Sequence, residues 1–268
     1  MNKIILTLIL TILSAGLVQA SALTEDYIDI ATSYVKDGKY TQALTYINKA
    51  LIIESQNPAL IKMRNDLLKV TGTPILNNTK SFTANPSYLQ AERFRLAKDY
   101  SKAIVFYKKT INENPNFTPA YLGLAITNYE MKNFQETKNN LNIYISKEPK
   151  ADFAYMLRAK TNLNLGEGQS ALRDIKSADA IFSNPEYKLT EAIILTELGK
   201  YTQAKEILTK LSDDLQIYIV FRYLGICDYK LGNYKNAVLN FDRAIILFED
   251  DKTILPMYNE AKRRSNEN

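Results

Sequence analysis

A single short phrase returns along this chain at nearly constant spacing. Gly38-Lys39-Tyr40-Thr41-Gln42-Ala43 reappears unchanged as Gly199 to Ala204. Looser copies end at Ala103, Thr137, Ala171 and Ala237. The gaps between successive end residues are 60, 34, 34, 33 and 33. A period of this size means one supersecondary unit stacked on itself, so most other architectures are excluded before any residue is read in detail.

Each copy reads as two amphipathic helices around a tight turn. In the last copy Phe221, Leu224, Gly225 and Asp228 share one helical face, and Ala237, Phe241 and Ala244 share a second. Gly38, Gly166, Gly199 and Gly232 sit in the turns, where a left-handed cap ends the first helix. Pro115 and Pro149 fall just past second helices. Small residues at facing positions, such as Ala31 with Ala43 and Gly225 with Ala237, let the two backbones approach closely.

This pattern resembles the tetratricopeptide repeat (TPR). The final copy carries Phe221, Leu224, Gly225, Gly232, Tyr234, Ala237, Phe241 and Ala244 at the family's offsets. The first carries Tyr27, Ile30, Ala31, Tyr34, Gly38, Tyr40, Ala43 and Ala50. Middle copies depart from it: Thr137 replaces the usual Ala, Gly168 the usual aromatic, and Lys188 opens the fifth copy. The resemblance implies an all-α fold, an α-solenoid of about six helix-turn-helix repeats with a C-terminal capping helix. The expected division is a first repeat at 24–57, a degenerate helix and loop at 58–87, five further repeats at 84–251, and a capping helix with a polar tail at 252–268. Within the 60-residue gap, Leu60, Met63, Leu67 and Val70 predict a helix over 58–70, either a decayed repeat or a cap on the first copy.

The first twenty residues have a different character. Lys3 precedes an apolar run from Ile4 to Val18, followed by small residues suited to cleavage after Ala20 or Ala22. That is the layout of a secretory signal peptide, and it predicts a periplasmic or secreted protein. A retained segment anchoring the chain to the inner membrane is the alternative, although the run is shorter than the roughly 20 residues a spanning helix needs.

Composition narrows the chemistry. The chain has no His and one Cys, which removes imidazole catalysis, His-based metal sites and any internal disulfide. No phosphate loop or dinucleotide fingerprint is present. A net charge of +5, with lysines interleaved among acids, is not the footprint of a nucleic-acid binder. Asp213-Asp214 and Glu249-Asp250-Asp251 read as solvated turn residues, and Cys227 as a buried thiol. No enzyme, metal or cofactor is expected.

Protein binding is what remains. The family's ligand contacts come from first-helix positions lining a concave side. The resemblance places Tyr88, Arg95, Leu122, Ile126, Tyr129, Phe153, Met156, Lys160, Arg222, Ile226 and Tyr229 there, with Glu92, Leu189 and Ile193 beside them. No Lys/Asn/Arg clamp for a C-terminal carboxylate is found, so an apolar or amphipathic segment of an envelope protein is the expected partner. A membrane-anchored scaffold and a binder of a small envelope ligand, such as a muropeptide or glycan, are the alternatives.

Overall fold

From the third helix pair onward, the second helix buries a narrower stripe than the first. In the computed structural model, residues 22–36, 40–54, 57–71, 85–183, 185–214, 217–248 and 251–267 are described. They form α1 (Ala22–Lys36), α2 (Tyr40–Ile53), α3 (Pro58–Thr71), α4 (Pro86–Leu96), α5 (Tyr100–Glu113), α6 (Thr118–Glu130) and α7 (Phe134–Lys147). There follow α8 (Asp152–Asn164), α9 (Gly168–Ile181), α10 (Pro185–Glu197), α11 (Tyr201–Asp214), α12 (Tyr218–Lys230), α13 (Tyr234–Leu247), a 3-10 turn at Lys252–Ile254, and α14 (Leu255–Ser265). No strand occurs among the described residues. Among the described residues six pairs, α1–α2 and α4–α5 through α12–α13, pack as antiparallel hairpins, with α3 lying on α2 and α14 on α13.

The stripe on α13 is Ala237, Phe241 and Ala244, spaced 4 and 3 along one face. Its partner α12 instead buries Val220, Phe221, Leu224, Gly225, Cys227 and Asp228, more than one face can hold. The one-face reading of first helices is therefore too narrow. A first helix packs against its own partner and against neighbouring pairs, as α10 does with α9, α11 and α12.

The turn between paired helices is the same in five hairpins. Lys98, Lys132, Gly166, Gly199 and Gly232 occupy one repeat position, and all have φ between 58° and 77°. The next residue's N–H reaches back five residues, at 2.8 Å, to the carbonyls of Phe94, Asn128, Asn162, Leu195 and Asp228. This Schellman closure satisfies carbonyls that the ended helix would leave unpaired. Only glycine adopts that φ without penalty, so Lys98 and Lys132 hold it under strain.

The residue that closes each of these five turns has a matched partner in the facing helix, twelve positions on, and Tyr34 stands at the aligned position of the first hairpin. The pairs are Tyr34 with Tyr46, Phe94 with Phe106, Asn128 with Asn140, Asn162 with Asp174, Leu195 with Ile207, and Asp228 with Asn240. Tyr34 and Tyr46 stack at 5.6 Å, and Phe94 and Phe106 at 5.4 Å. Asn162 donates to Asp174 at 2.8 Å, and Asn240 to Asp228 at 2.9 Å. Two of these pairs thus meet as stacked aromatics and two as hydrogen-bonded polar groups, whereas Asn128 and Asn140 each donate to a carbonyl of their own helix, at 2.9 and 2.7 Å.

The chain divides after Pro149 into two compact units. The first contains two apolar cores. One unites Tyr27, Ile28, Ala43 and Ile47 with Leu60, Met63 and Leu67 of α3; the other unites Tyr88, Ala91, Ala103, Tyr107, Phe117 and Leu124. The second unit has one core running from Met156 to Ala261. At its end Asp251, expected in a solvated turn, does something else. It accepts from Arg222 Nε at 2.9 Å, pairs with the Tyr218 hydroxyl and caps Thr253, which fixes the start of the closing helix.

Candidate functional site

Within each unit the first helices of successive pairs touch, α4 with α6 in the first, and α8 with α10 and α10 with α12 in the second. Side chains on the uncovered sides of these helices are the candidate partner-binding residues. In the second unit Phe153, Leu189, Ile193, Ile226 and Tyr229 are half-buried. Phe153, Leu189, Ile226 and Tyr229 rest on the unit's core while keeping part of their surface in solvent. Tyr229 meets the Tyr234 ring edge-on at 6.0 Å, with the Lys230 ammonium 5.9 Å from its centroid. An aromatic ring held from one side loses little further rotamer freedom when a partner covers the other.

The charges on this side are engaged. Lys160 pairs with Glu186 at 3.3 Å, joining α8 to α10. Arg222 pairs with Asp251 and lies 5.0 Å over the Tyr223 ring. The Asp251 carboxylate is buried enough to raise its pKa, yet hydrogen bonds from Thr253, Tyr218 and Arg222 outweigh this and hold it well below the usual range. Both cations are thus fixed in place and partly neutralised.

The first unit offers less. Ile126 and Tyr129 are half-buried on α6, with Tyr129 edge-on to Phe134 at 5.7 Å. Four expected contact residues are withdrawn from any open face. Tyr88 is fully buried, Leu122 and Met156 are buried, and Arg95 is 9% exposed. Tyr88 packs against the Phe117 ring at 5.0 Å, and Met156 belongs to the second unit's core.

Arg95 and its neighbour Glu92 are withdrawn for a different reason. Their side of α4 docks against the first helix pair. Glu92, with no exposed surface, accepts from Tyr27 of α1 at 2.7 Å, from Lys49 of α2 at 3.1 Å, and from Arg95 Nη2 at 2.8 Å, and pairs with the Tyr107 hydroxyl of α5. Burial pushes the Glu92 pKa up, but Arg95 and Lys49 outweigh it and hold the carboxylate well below its ordinary range. The i,i+3 spacing of Glu92 and Arg95 is visible in the sequence, but nothing local marks Lys49, 43 residues away, as their partner.

Among the described residues no group of three or more His, Cys, Asp or Glu is placed to hold a metal ion. Cys227 is fully buried, and burial pushes its thiol pKa up, away from the reactive thiolate.

The hairpin series has counterparts among solved structures. A crystal structure of MamA protein superposes with a TM-score of 0.56 at 20% identity, covering 62% of this chain and 92% of that one. YrrB, described as a TPR protein with an unusual peptide-binding site, gives a TM-score of 0.56 at 17% identity over 67% of this chain and 92% of its own. The chain has the TPR solenoid fold. At such identities the likeness speaks for the fold alone. No protein-family model matches the chain, and no curated protein matches it.

No helix among the described residues is long and apolar enough to cross a membrane. The apolar run expected to be a signal segment, residues 1–20, and the expected loop residues 72–84 lie outside the described residues.

Proposed function

We propose that this chain is an exported, non-enzymatic TPR adaptor that holds an envelope protein by an extended or helical segment. In the second unit the segment lies along α8, α10 and α12, over Phe153, Ile226 and Tyr229. The observation that carries this reading is the contrast on that side of the unit. Aromatic and aliphatic groups are left half-covered, whereas Lys160 and Arg222 already have Glu186 and Asp251. Such a surface gains from burying apolar area and gains little from a charged end group. Ile126 and Tyr129 supply a smaller contact in the first unit. The fold likeness to YrrB supports the reading to the extent that this scaffold can carry a peptide-binding site. Export rests on Lys3, the apolar run and Ala20 in the sequence.

Pull-down from envelope extract with cross-linking mass spectrometry tests it, using the chain from residue 21 as bait. One protein is expected to be enriched and cross-linked to Lys160 and Lys230. The double variant Ile226→Asp/Tyr229→Ala should lose it at least about tenfold while its melting curve shows it still folded at the temperature of capture. Equal capture by the variant, or no enriched protein, overturns the assignment. The mass of the mature N-terminus distinguishes cleavage after Ala20 or Ala22 from a retained anchor.

A further inference from the structure

The first unit has two apolar cores, and the seam between them is polar. On one side stand α1 and α2 with Tyr27 and Ile47; on the other stand α4 and α5 with Tyr88 and Tyr107. Leu89 reaches both cores, and Leu96 rests on the first. Between them lies the cluster around Glu92, supplied by four helices. Its hydrogen bonds come from Tyr27, Lys49, Arg95 and Tyr107. Lys49 also lies 5.8 Å from the Tyr27 centroid and 5.3 Å from that of Tyr46.

Charge does not balance within this cluster, while Asp26 and Asp29 of α1 and Arg93 of α4 line a separate pocket of the same seam. Two cations, Lys49 and Arg95, share one carboxylate, and the three are 5%, 9% and 0% exposed. A net positive charge kept from water is costly, and a group that can neutralise itself does so instead. The other titratable groups facing the cluster cannot relieve it. Burial, reinforced by the Glu92 carboxylate, holds the Tyr27, Tyr88 and Tyr107 hydroxyls protonated well above their ordinary range. Burial raises Tyr46 as well. Glu92 stays ionised, and a guanidinium does not give up its proton. Within the cluster, Lys49 alone can change state.

We propose that the Lys49–Glu92–Arg95 cluster is a proton-operated latch on the first helix pair, docking α1–α2 more tightly on α4–α5 when Lys49 sheds its proton. The direction follows from linkage. Burial first, and Arg95 second, pull the Lys49 pKa down to about 8 against the attraction of Glu92, whereas an undocked pair returns Lys49 to its ordinary 10.5. Between these values the undocked state binds more protons, so docking strengthens as pH rises through the window. From pH 7 to pH 9 the gain is about tenfold in the docking equilibrium.

Amide hydrogen exchange of the full chain at pH 7 and pH 9, corrected for intrinsic rates, tests this, with α10–α11 as internal reference. Protection of α1 and α2 should rise about tenfold relative to the reference. Lys49→Met keeps most of the aliphatic stem without the charge, and should be highly protected at both pH values with no pH response. Glu92→Gln should lose protection at both. Protection of α1–α2 that stays flat in the unsubstituted chain, or rises equally in α10–α11, overturns the proposal without any variant. So does a Lys49→Met chain that keeps the pH response.

Discussion

Replacing Gly225 by Ala puts one methyl group into the closest packing of the last hairpin. A Cβ built there would stand 2.5 Å from Phe241 Cδ1, 2.6 Å from Cε1 and 3.0 Å from Cγ. These are far inside van der Waals contact, so the ring must move. It has little room, because Phe241 is fully buried and the Tyr258 ring stands edge-on to it at 6.3 Å. Overpacking of this kind costs about 1–3 kcal/mol, and a rigid, fully buried ring as the obstacle places it at the upper end. Alanine in a helix returns about 1 kcal/mol over glycine. The net expectation is a loss of about 2 kcal/mol, a fall of roughly 4–8 °C in Tm by far-UV circular dichroism. Phe241→Leu shortens the obstructing ring, so in the Gly225→Ala background it should cost less than it does alone. The coupling in that double-mutant cycle should be at least about 1 kcal/mol. A higher Tm for Gly225→Ala, or additivity within about 0.5 kcal/mol, would refute the argument and show that helix propensity outweighs contact here.

Two further outcomes follow from the hairpin interior. Lys132 holds a φ of 61° at the position where three other described turns have glycine, so Lys132→Gly should stabilise by about 0.5–1 kcal/mol in urea denaturation; destabilisation would mean its side chain contributes more than the strain costs. Asp174→Leu should cost about 2–4 kcal/mol, because it strips Arg158 of contacts at 2.8 and 2.6 Å and leaves the buried Asn162 amide unpaired. Adding Asn162→Leu should recover a good part of that loss, since the fifth repeat fills the same site with Leu195 and Ile207, and failure to recover would locate the cost in Arg158 alone.

The turn and the matched pair were both open to a reader of the sequence. Glycine at Gly166, Gly199 and Gly232 marks the left-handed position directly, and the aligned period then assigns Lys98 and Lys132 to it without glycine. Asn162 with Asp174 and Asp228 with Asn240 stand at the same spacing as Tyr34 with Tyr46. Their complementarity appears only when the copies are compared column by column. A polar residue read singly on a first helix looks like surface.

The partner-binding residues show the opposite case. Tyr88, Arg95, Leu122 and Met156 occupy the same kind of helical position as Tyr129 and Tyr229, yet the first four are buried and the last two half-exposed. Periodicity sets which way a side chain points from its own helix. It does not set what stands opposite.

By itself the sequence determined the all-helical repeat, its period near 34 residues, the turns and the pairing of helices, because these depend on contacts within about 35 residues of chain. The tertiary structure alone decided that Glu92 and Arg95 belong to a buried seam. Their partners Tyr27 and Lys49 stand 65 and 43 residues from Glu92 and follow no repeat spacing. A charge is exposed or buried according to the element that docks over it, and no local pattern carries that information.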